Sequence, residues 1–284
     1  MLHTLIKHLP GLLLAAATFA SLPAHAEQPA KVRLYTLDCG RAEFKDMGMF
    51  ADTGEYDGKP GKVVMPCYLI RHPKGNLLWD TGLADAMAGK PEGHDAGNGI
   101  RLFVTTTLGQ QLQNLGLASS DIQFVAFSHF HFDHTGNANA FPGATWILNK
   151  SELAYALATP TPFGIDPNSF SAYKNAKTQL IDSDLDVFGD GSVRILKTPG
   201  HTPGHQVLQL KLAKTGTVIL SGDLYHTLEN RKFARVPGFN AERADTLASI
   251  DRVEKIVKHS KARFVVQHAP EDFKAMPRFP AWLE

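Results

Sequence analysis

Ser128-His-Phe-His-Phe-Asp-His-Thr-Gly136 places His129, His131, Asp133 and His134 within six residues. The apolar, β-prone run Ile122 to Phe127 precedes it, so the cluster sits on the loop leaving a buried strand. On such a loop His129 and His131, two apart, turn toward one ion, and Asp133 and His134, past the turn, suit a second. Imidazole and carboxylate are ligands for zinc and other borderline first-row metals, and a pair of ions needs more ligands than one loop carries.

Further ligands occur in a consistent place. Val193 to Leu196 reads as a strand and leads into Thr198-Pro-Gly-His201-Thr-Pro-Gly-His205. Thr217 to Leu220 reads as another and leads into Ser221-Gly-Asp223, and the apolar run Phe264 to Gln267 ends on His268. Each candidate lies just past the C-terminal end of a short buried strand, so one sheet edge gathers them all.

The remaining chain bounds the reading. Its 284 residues, 43% hydrophobic, suffice for one large core. Residues 1–26 carry Lys7, an apolar stretch from Leu12 to Ala20 and the run Ser21-Leu-Pro-Ala-His-Ala26, the pattern of a secretory signal peptide with an Ala-x-Ala cleavage site. The expectation is an exported protein, periplasmic or secreted, without membrane insertion after cleavage, whose single domain runs from 27 to 284. Removing those residues takes Lys7 from the 29 basic residues and leaves 28 against 28 acidic ones. With no basic stripe, nucleic acid and anionic membranes are excluded as expected partners. Cys39 and Cys67 match no metal or redox spacing. A disulfide is permitted in an oxidising compartment, but Cys67 lies within the apolar run Val63 to Ile70, and two buried unbridged thiols are the favoured expectation.

Strands are expected at Val32 to Leu37, Val63 to Arg71 and Asn76 to Asp80, the last two joined by a turn that places His72 at the surface. Residues 83–99 read as a loop, Thr107 to Leu117 as a helix, Trp146 to Asn149 as a strand, and Ala241 to Lys258 as a helix. Further helices are expected near Gly136 and from Glu152. Strand pairs alternating with helices in two similar halves indicate an α/β fold of two packed sheets with helices outside. The long loop at 159–170 carries Phe163 and Phe170, which are costly to leave in water, and is a candidate substrate wall. Met47, Met49 and Phe50 have the same standing. Phe132, beside Asp133, is assigned to the pocket and Phe130 to the core. His205 reads as a supporting residue, and His94 and His259 as solvent-facing.

His129-x-His131-x-Asp133-His134 followed by His201, Asp223 and His268 resembles the metallo-β-lactamase fold superfamily. Pro66-Cys-Tyr-Leu-Ile, Leu78-Trp-Asp-Thr-Gly, Thr198-Pro-Gly-His-Thr-Pro-Gly-His-Gln and the tail from His268 to Arg278-Phe-Pro most resemble its N-acyl homoserine lactonases. The resemblance implies a four-layer αββα sandwich with mixed sheets and two zinc or other divalent first-row ions per chain. It implies that His129, His131 and His201 hold the first ion, that Asp133, His134 and His268 hold the second, and that Asp223 bridges them. The ions would supply a shared hydroxide for attack on a lactone or ester carbonyl, and Asp133 would orient it and relay its proton. Asp80 resembles the superfamily's structural aspartate. The better-known lactonases carry a tyrosine three residues after the bridging aspartate, where this chain has His226. Tyr225 stands one step earlier, and either could be the oxyanion donor. A homodimer is compatible with this reading. The competing functions are hydrolysis of other lactones, aryl esters, phosphoesters or β-lactams on the same fold, and non-catalytic sequestration of a signal molecule.

Overall fold

The computed structural model describes residues 31–284, so the signal-peptide segment lies outside the described residues. The strands are β1 (Arg33–Phe44), β2 (Gly61–His72), β3 (Gly75–Trp79), β4 (His94–Gly97), β5 (Ile100–Phe103), β6 (Phe124–Ala126), β7 (Thr145–Asn149), β8 (Lys177–Ile181), β9 (Leu185–Asp186), β10 (Val193–Lys197), β11 (Gln206–Leu212), β12 (Gly216–Leu220), β13 (Arg263–Val265) and β14 (Trp282–Leu283). The helices are α1 (Leu108–Asn114), α2 (Phe132–Thr135), α3 (Lys150–Ala156), α4 (Leu228–Phe233), α5 (Arg243–Ser260) and α6 (Pro270–Ala275).

Two mixed sheets form. The larger runs β4-β5-β1-β2-β3-β6-β7-β8, with β14 on β1, and the smaller runs β13-β12-β11-β10-β9. Strands β3, β6, β7 and β8 are parallel, as are β12 and β13. Alternation along each strand sorts side chains between two layers of core. Tyr68 and Ile70 of β2 meet Ile195, Leu208 and Leu220 of the smaller sheet, whereas Cys67 and Leu69 face the opposite way, toward Leu108 and Leu112 of α1. Ile250 and Val253 of α5 cover the outer face of the smaller sheet. The result is the four-layer helix–sheet–sheet–helix sandwich. No helix among the described residues is long and apolar enough to cross a membrane.

Four expectations need correction. Strand β1 continues seven residues past Leu37, to Phe44, because a register shift between Asp38 and Arg41 lets the chain pass a polar stretch and resume pairing with both β2 and β5. Residues 83–99 are not all loop, since His94–Gly97 pairs with β5. His72 is buried rather than at the surface. Its ring stacks on Phe188 at 3.9 Å, and its Nε2 lies 2.9 Å from Asp190 Oδ2. Finally, Cys39 and Cys67 are bridged: they sit on adjacent strands with Cα atoms 5.7 Å apart, within disulfide reach, and both are buried.

Candidate metal centre and active site

The loops after β6, β10, β12 and β13 converge at one edge of the sandwich, where parallel strands end together. His201 Nε2 lies 3.1 Å from His129 Nε2 and 3.1 Å from His131 Nδ1. Beside this trio, His134 Nε2 lies 3.2 Å from His268 Nε2, and Asp133 Oδ2 is 3.7 and 3.8 Å from those two nitrogens. Asp223 stands between the groups. Its Oδ1 is 2.8 Å from His268 and 3.1 Å from His134, while its Oδ2 is 3.3 Å from His201 and 3.6 Å from His129. One carboxylate thus turns a separate oxygen to each cluster.

The outer nitrogens fix what the inner ones can do. Four of the rings place their Nδ1 against an oxygen: His129 against Ser128 Oγ, His134 against Asp80 Oδ2, His201 against Asn240 Oδ1 and His268 against the Val64 carbonyl. Asp80, Asn240 and Val64 offer only acceptors there, and the Ser128 hydroxyl has already donated to Asp80, so each Nδ1 carries the proton and each Nε2 turns a lone pair inward. Inward lone pairs some 3 Å apart repel unless a cation lies among them. Two divalent ions fit this donor set, the first among His129, His131 and His201, the second among Asp133, His134 and His268, with Asp223 common to both. Asp223 Oδ1, buried against the Nε2 atoms of His134 and His268, has no donor there once those rings carry their proton on Nδ1, and is the oxygen such an ion would satisfy.

Burial drives His129 and His201 well below the ordinary imidazole range, which keeps both neutral and ready to ligate. Burial acts the same way on His134 and His268, but Asp223 and Asp133 outweigh it and raise both. Without an ion a proton takes the cation's place on this side, so ion binding releases protons. Asp223 is held well below the carboxylate range despite its burial, chiefly by His268 and His134, and stays ionised.

Asp80 is the hub beneath the centre. It accepts from the Ser128 amide at 2.7 Å, the Ser128 hydroxyl at 2.9 Å and Gln267 Nε2 at 2.7 Å besides His134. His205 is a support and not a ligand: its Nδ1 meets the Thr198 carbonyl at 2.9 Å, and its Nε2 accepts the Asp223 amide at 2.8 Å. Ser128, Asn240, Gln267 and the Val64 carbonyl went unread in the sequence, because single polar residues give no periodic signal and their partners are remote in the chain.

A cavity of about 310 Å³, walled mainly by apolar side chains, opens onto Asp133, Asp223, His226 and His268. Phe132, Phe163, Met49 and Phe50 line it, joined by Phe239 and by Phe44 from the continuation of β1. Met47 belongs to the core behind that wall. Phe170 does not reach the cavity. It is fully buried in the core under α1 and α3, with its ring 4.7 Å from that of Phe130. Tyr225 is also misplaced as an oxyanion donor, since its hydroxyl donates to Glu254 at 3.2 Å and its ring packs in the core beneath α5. Alternation along the extended segment turns His226 the other way, with Nε2 3.0 Å from Asp223 Oδ2. His94 is half-buried, with Nε2 3.1 Å from the Met87 carbonyl, and His259 is exposed.

The metallo-beta-lactamase superfamily model matches residues 62–268, a span that holds every one of these ligands. N-acyl homoserine lactonases named AttM match over 264 residues: that of Azorhizobium caulinodans is 30% identical, covering 89% of this chain and 99% of the relative, and that of Rhizobium radiobacter is 33% identical, covering 88% and 99%. The chain belongs to the N-acyl homoserine lactonase family of that superfamily. Among solved structures it is similar to an N-acyl homoserine lactone hydrolase with the product N-hexanoyl-L-homoserine at its catalytic metal centre, with a TM-score of 0.77 and 27% identity over 88% of this chain and 98% of the other. A family member with this complete ligand set is a metal-dependent hydrolase.

Proposed function

We propose that this chain opens the lactone ring of N-acyl homoserine lactones, and that it does so outside the cytoplasm. The observation that carries the reading is the pair of ligand clusters sharing Asp223 at an apolar cavity of about 310 Å³. A polar ring with one carbonyl suits the clusters, and a flexible acyl tail suits the walls.

Two divalent ions, when bound, supply a hydroxide at neutral pH and an electrophile for the carbonyl oxygen. The chain's own groups do the rest. Asp133, at the cavity edge, accepts the nucleophile's proton and returns it to the ring oxygen as the acyl carbon–oxygen bond breaks, leaving an acyl homoserine. His226 faces the same space: its one N–H, on Nε2, points at Asp223 Oδ2, and would be free to turn to the oxygen on which charge develops when the Asp223 carboxylate is taken up by the ions. Met49, Phe50, Phe163 and Phe239 hold the acyl chain and exclude water from it.

The Ala-x-Ala leader at residues 1–26 and the buried Cys39–Cys67 bridge, a bond that persists in oxidising compartments, support a periplasmic or secreted location. The test is ring opening of short- and long-chain acyl homoserine lactones by the purified mature protein, before and after chelation and zinc re-addition. Metal-restored turnover is expected. Turnover only of aryl esters, phosphotriesters or β-lactams would keep the hydrolase and remove the lactone assignment, and lactone binding without turnover would make it a sequestering protein.

A further inference from the structure

Glu152, the third residue of α3, is 2% exposed, and no Lys, Arg or His forms an ion pair with it among the described residues. A buried carboxylate without a cation is costly unless hydrogen-bond donors surround it. Its donors include two backbone amides from two different loops, with the Thr202 side chain beside them. Oε1 accepts from the Phe130 amide at 2.9 Å, and Oε2 accepts from the Gly204 amide at 3.0 Å. Phe130 lies between His129 and His131, and Gly204 lies between His201 and His205. The two amides therefore belong to the loops that carry all three imidazoles of the first cluster.

The packing around Glu152 is equally specific. A Cβ on Gly204 would lie 2.3 Å from the Glu152 amide nitrogen and 2.5 Å from its Cβ, so the second Thr-Pro-Gly turn packs directly on the first turn of α3. Asn149 caps that turn, its Oδ1 accepting from the amides of Ser151 and Glu152. The carboxylate is thus held from behind by a capped helix and reaches forward to both loops. Burial pushes its pKa up to about 7, a cost that a purely packing residue such as leucine or methionine would avoid.

We propose that Glu152 is a positioning residue for the first metal cluster, its two oxygens setting the separation of the His129–His131 loop from the His201 loop. The inference rests on the two-ion reading of the centre and not on lactone chemistry. A protein that binds two ions and opens no lactone leaves it intact.

The chemistry of the side chain makes it testable. Glu152→Gln conserves volume but turns an amide NH₂ toward one of the two N–H donors, so only one loop stays attached. Glu152→Asp keeps the charge but is one methylene short of spanning both amides. Zinc titration of the metal-free mature protein, followed through the imidazole ¹⁵N resonances and by chelator competition, separates the two clusters. For both variants the expected result is affinity about 10–100-fold weaker at His129, His131 and His201, with the His134 and His268 resonances titrating as in the wild type. Unchanged affinity at both clusters would overturn the proposal, and so would equal weakening of both together with lower thermal stability, the mark of a merely structural role. Should neither variant fold, hydrogen exchange in the unaltered metal-free protein decides the matter. The Phe130 and Gly204 amides must be protected there, and fast exchange at either would refute the clamp.

Discussion

His226 Nε2 lies 3.0 Å from Asp223 Oδ2, and both residues line the apolar cavity. The ring that can donate to a developing oxyanion is thus held by the carboxylate that joins the two clusters, while Tyr225, its chain neighbour, is turned into the core. Removing the ring by His226→Phe should lower kcat by about 10²–10³-fold with KM little changed, the loss typical of one oxyanion donor. Tyr225→Phe should leave kcat unchanged. Steady-state kinetics on one lactone compares them, and equal effects of the two changes would contradict this assignment.

Asp223→Asn replaces one of the two oxygens by an amide nitrogen that cannot ligate. Bound metal should fall below two ions per chain. Activity should fall by more than the roughly 10–100-fold that loss of an outer hydrogen-bond partner costs. Metal analysis of the dialysed variant is the check, and two tightly held ions would exclude the bridge.

The two phenylalanines of the 159–170 segment should behave oppositely. Phe163 is 61% exposed beside the cavity, so a bound acyl chain would cover it. Phe163→Ala should raise KM for long-chain lactones by about 5–30-fold, corresponding to about 1–2 kcal/mol of lost apolar contact, and spare short chains. Phe170→Ala should instead cost about 3–5 kcal/mol of stability with KM unchanged.

Closing a loop over 28 residues, the Cys39–Cys67 bridge should stabilise the fold by about 3–4 kcal/mol on a chain-entropy basis. Urea denaturation of the protein against its Cys39→Ala, Cys67→Ala double variant measures this, with reductant expected to act on the parent alone.

The His72–Asp190 pair predicts acid sensitivity of known sign. Burial lowers His72, and Asp190 only partly opposes it. Asp190 is itself lowered, its burial outweighed by bonds from Ser192 and His72. A histidine whose folded pKa is depressed contributes stability that is complete above its unfolded value of about 6.5 and is lost as pH falls below it. Thermal unfolding across pH 7.5 to 5 should therefore steepen in the wild type relative to His72→Gln, and parallel curves would remove His72 as the cause.

Much of the centre was legible because its ligands follow short apolar strands, and their residue types have few other uses so close together. His129 and His131 lie in the loop after β6 and Asp133 and His134 in the short helix α2 that follows it directly, and each remaining ligand could be placed by the strand before it. What stayed hidden depends on facing. Phe163 and Phe170 occupy one loop with the same composition around them, yet one reaches the cavity and the other the core. His72 read as a turn residue because its partners, Phe188 and Asp190, lie more than a hundred positions away. The bridge went unexpected for a related reason: the register shift at Asp38 to Arg41, which precedes the pairing of β1 with β5, is invisible to a period-2 pattern.

By itself the sequence determined the two-sheet sandwich with outer helices, the side chains able to ligate metal and the strand ends near which they stand. Those features follow from local hydrophobic periodicity and from the chemistry of imidazole and carboxylate, both of which act residue by residue. Only the tertiary structure decided which oxygen of Asp223 turns to which cluster, that His226 rather than Tyr225 faces them, and that Glu152 accepts from both loops of the first cluster. Those are relations of distance and direction between segments far apart in the chain, set by how the two sheets pack and by which way each short turn rotates its side chains.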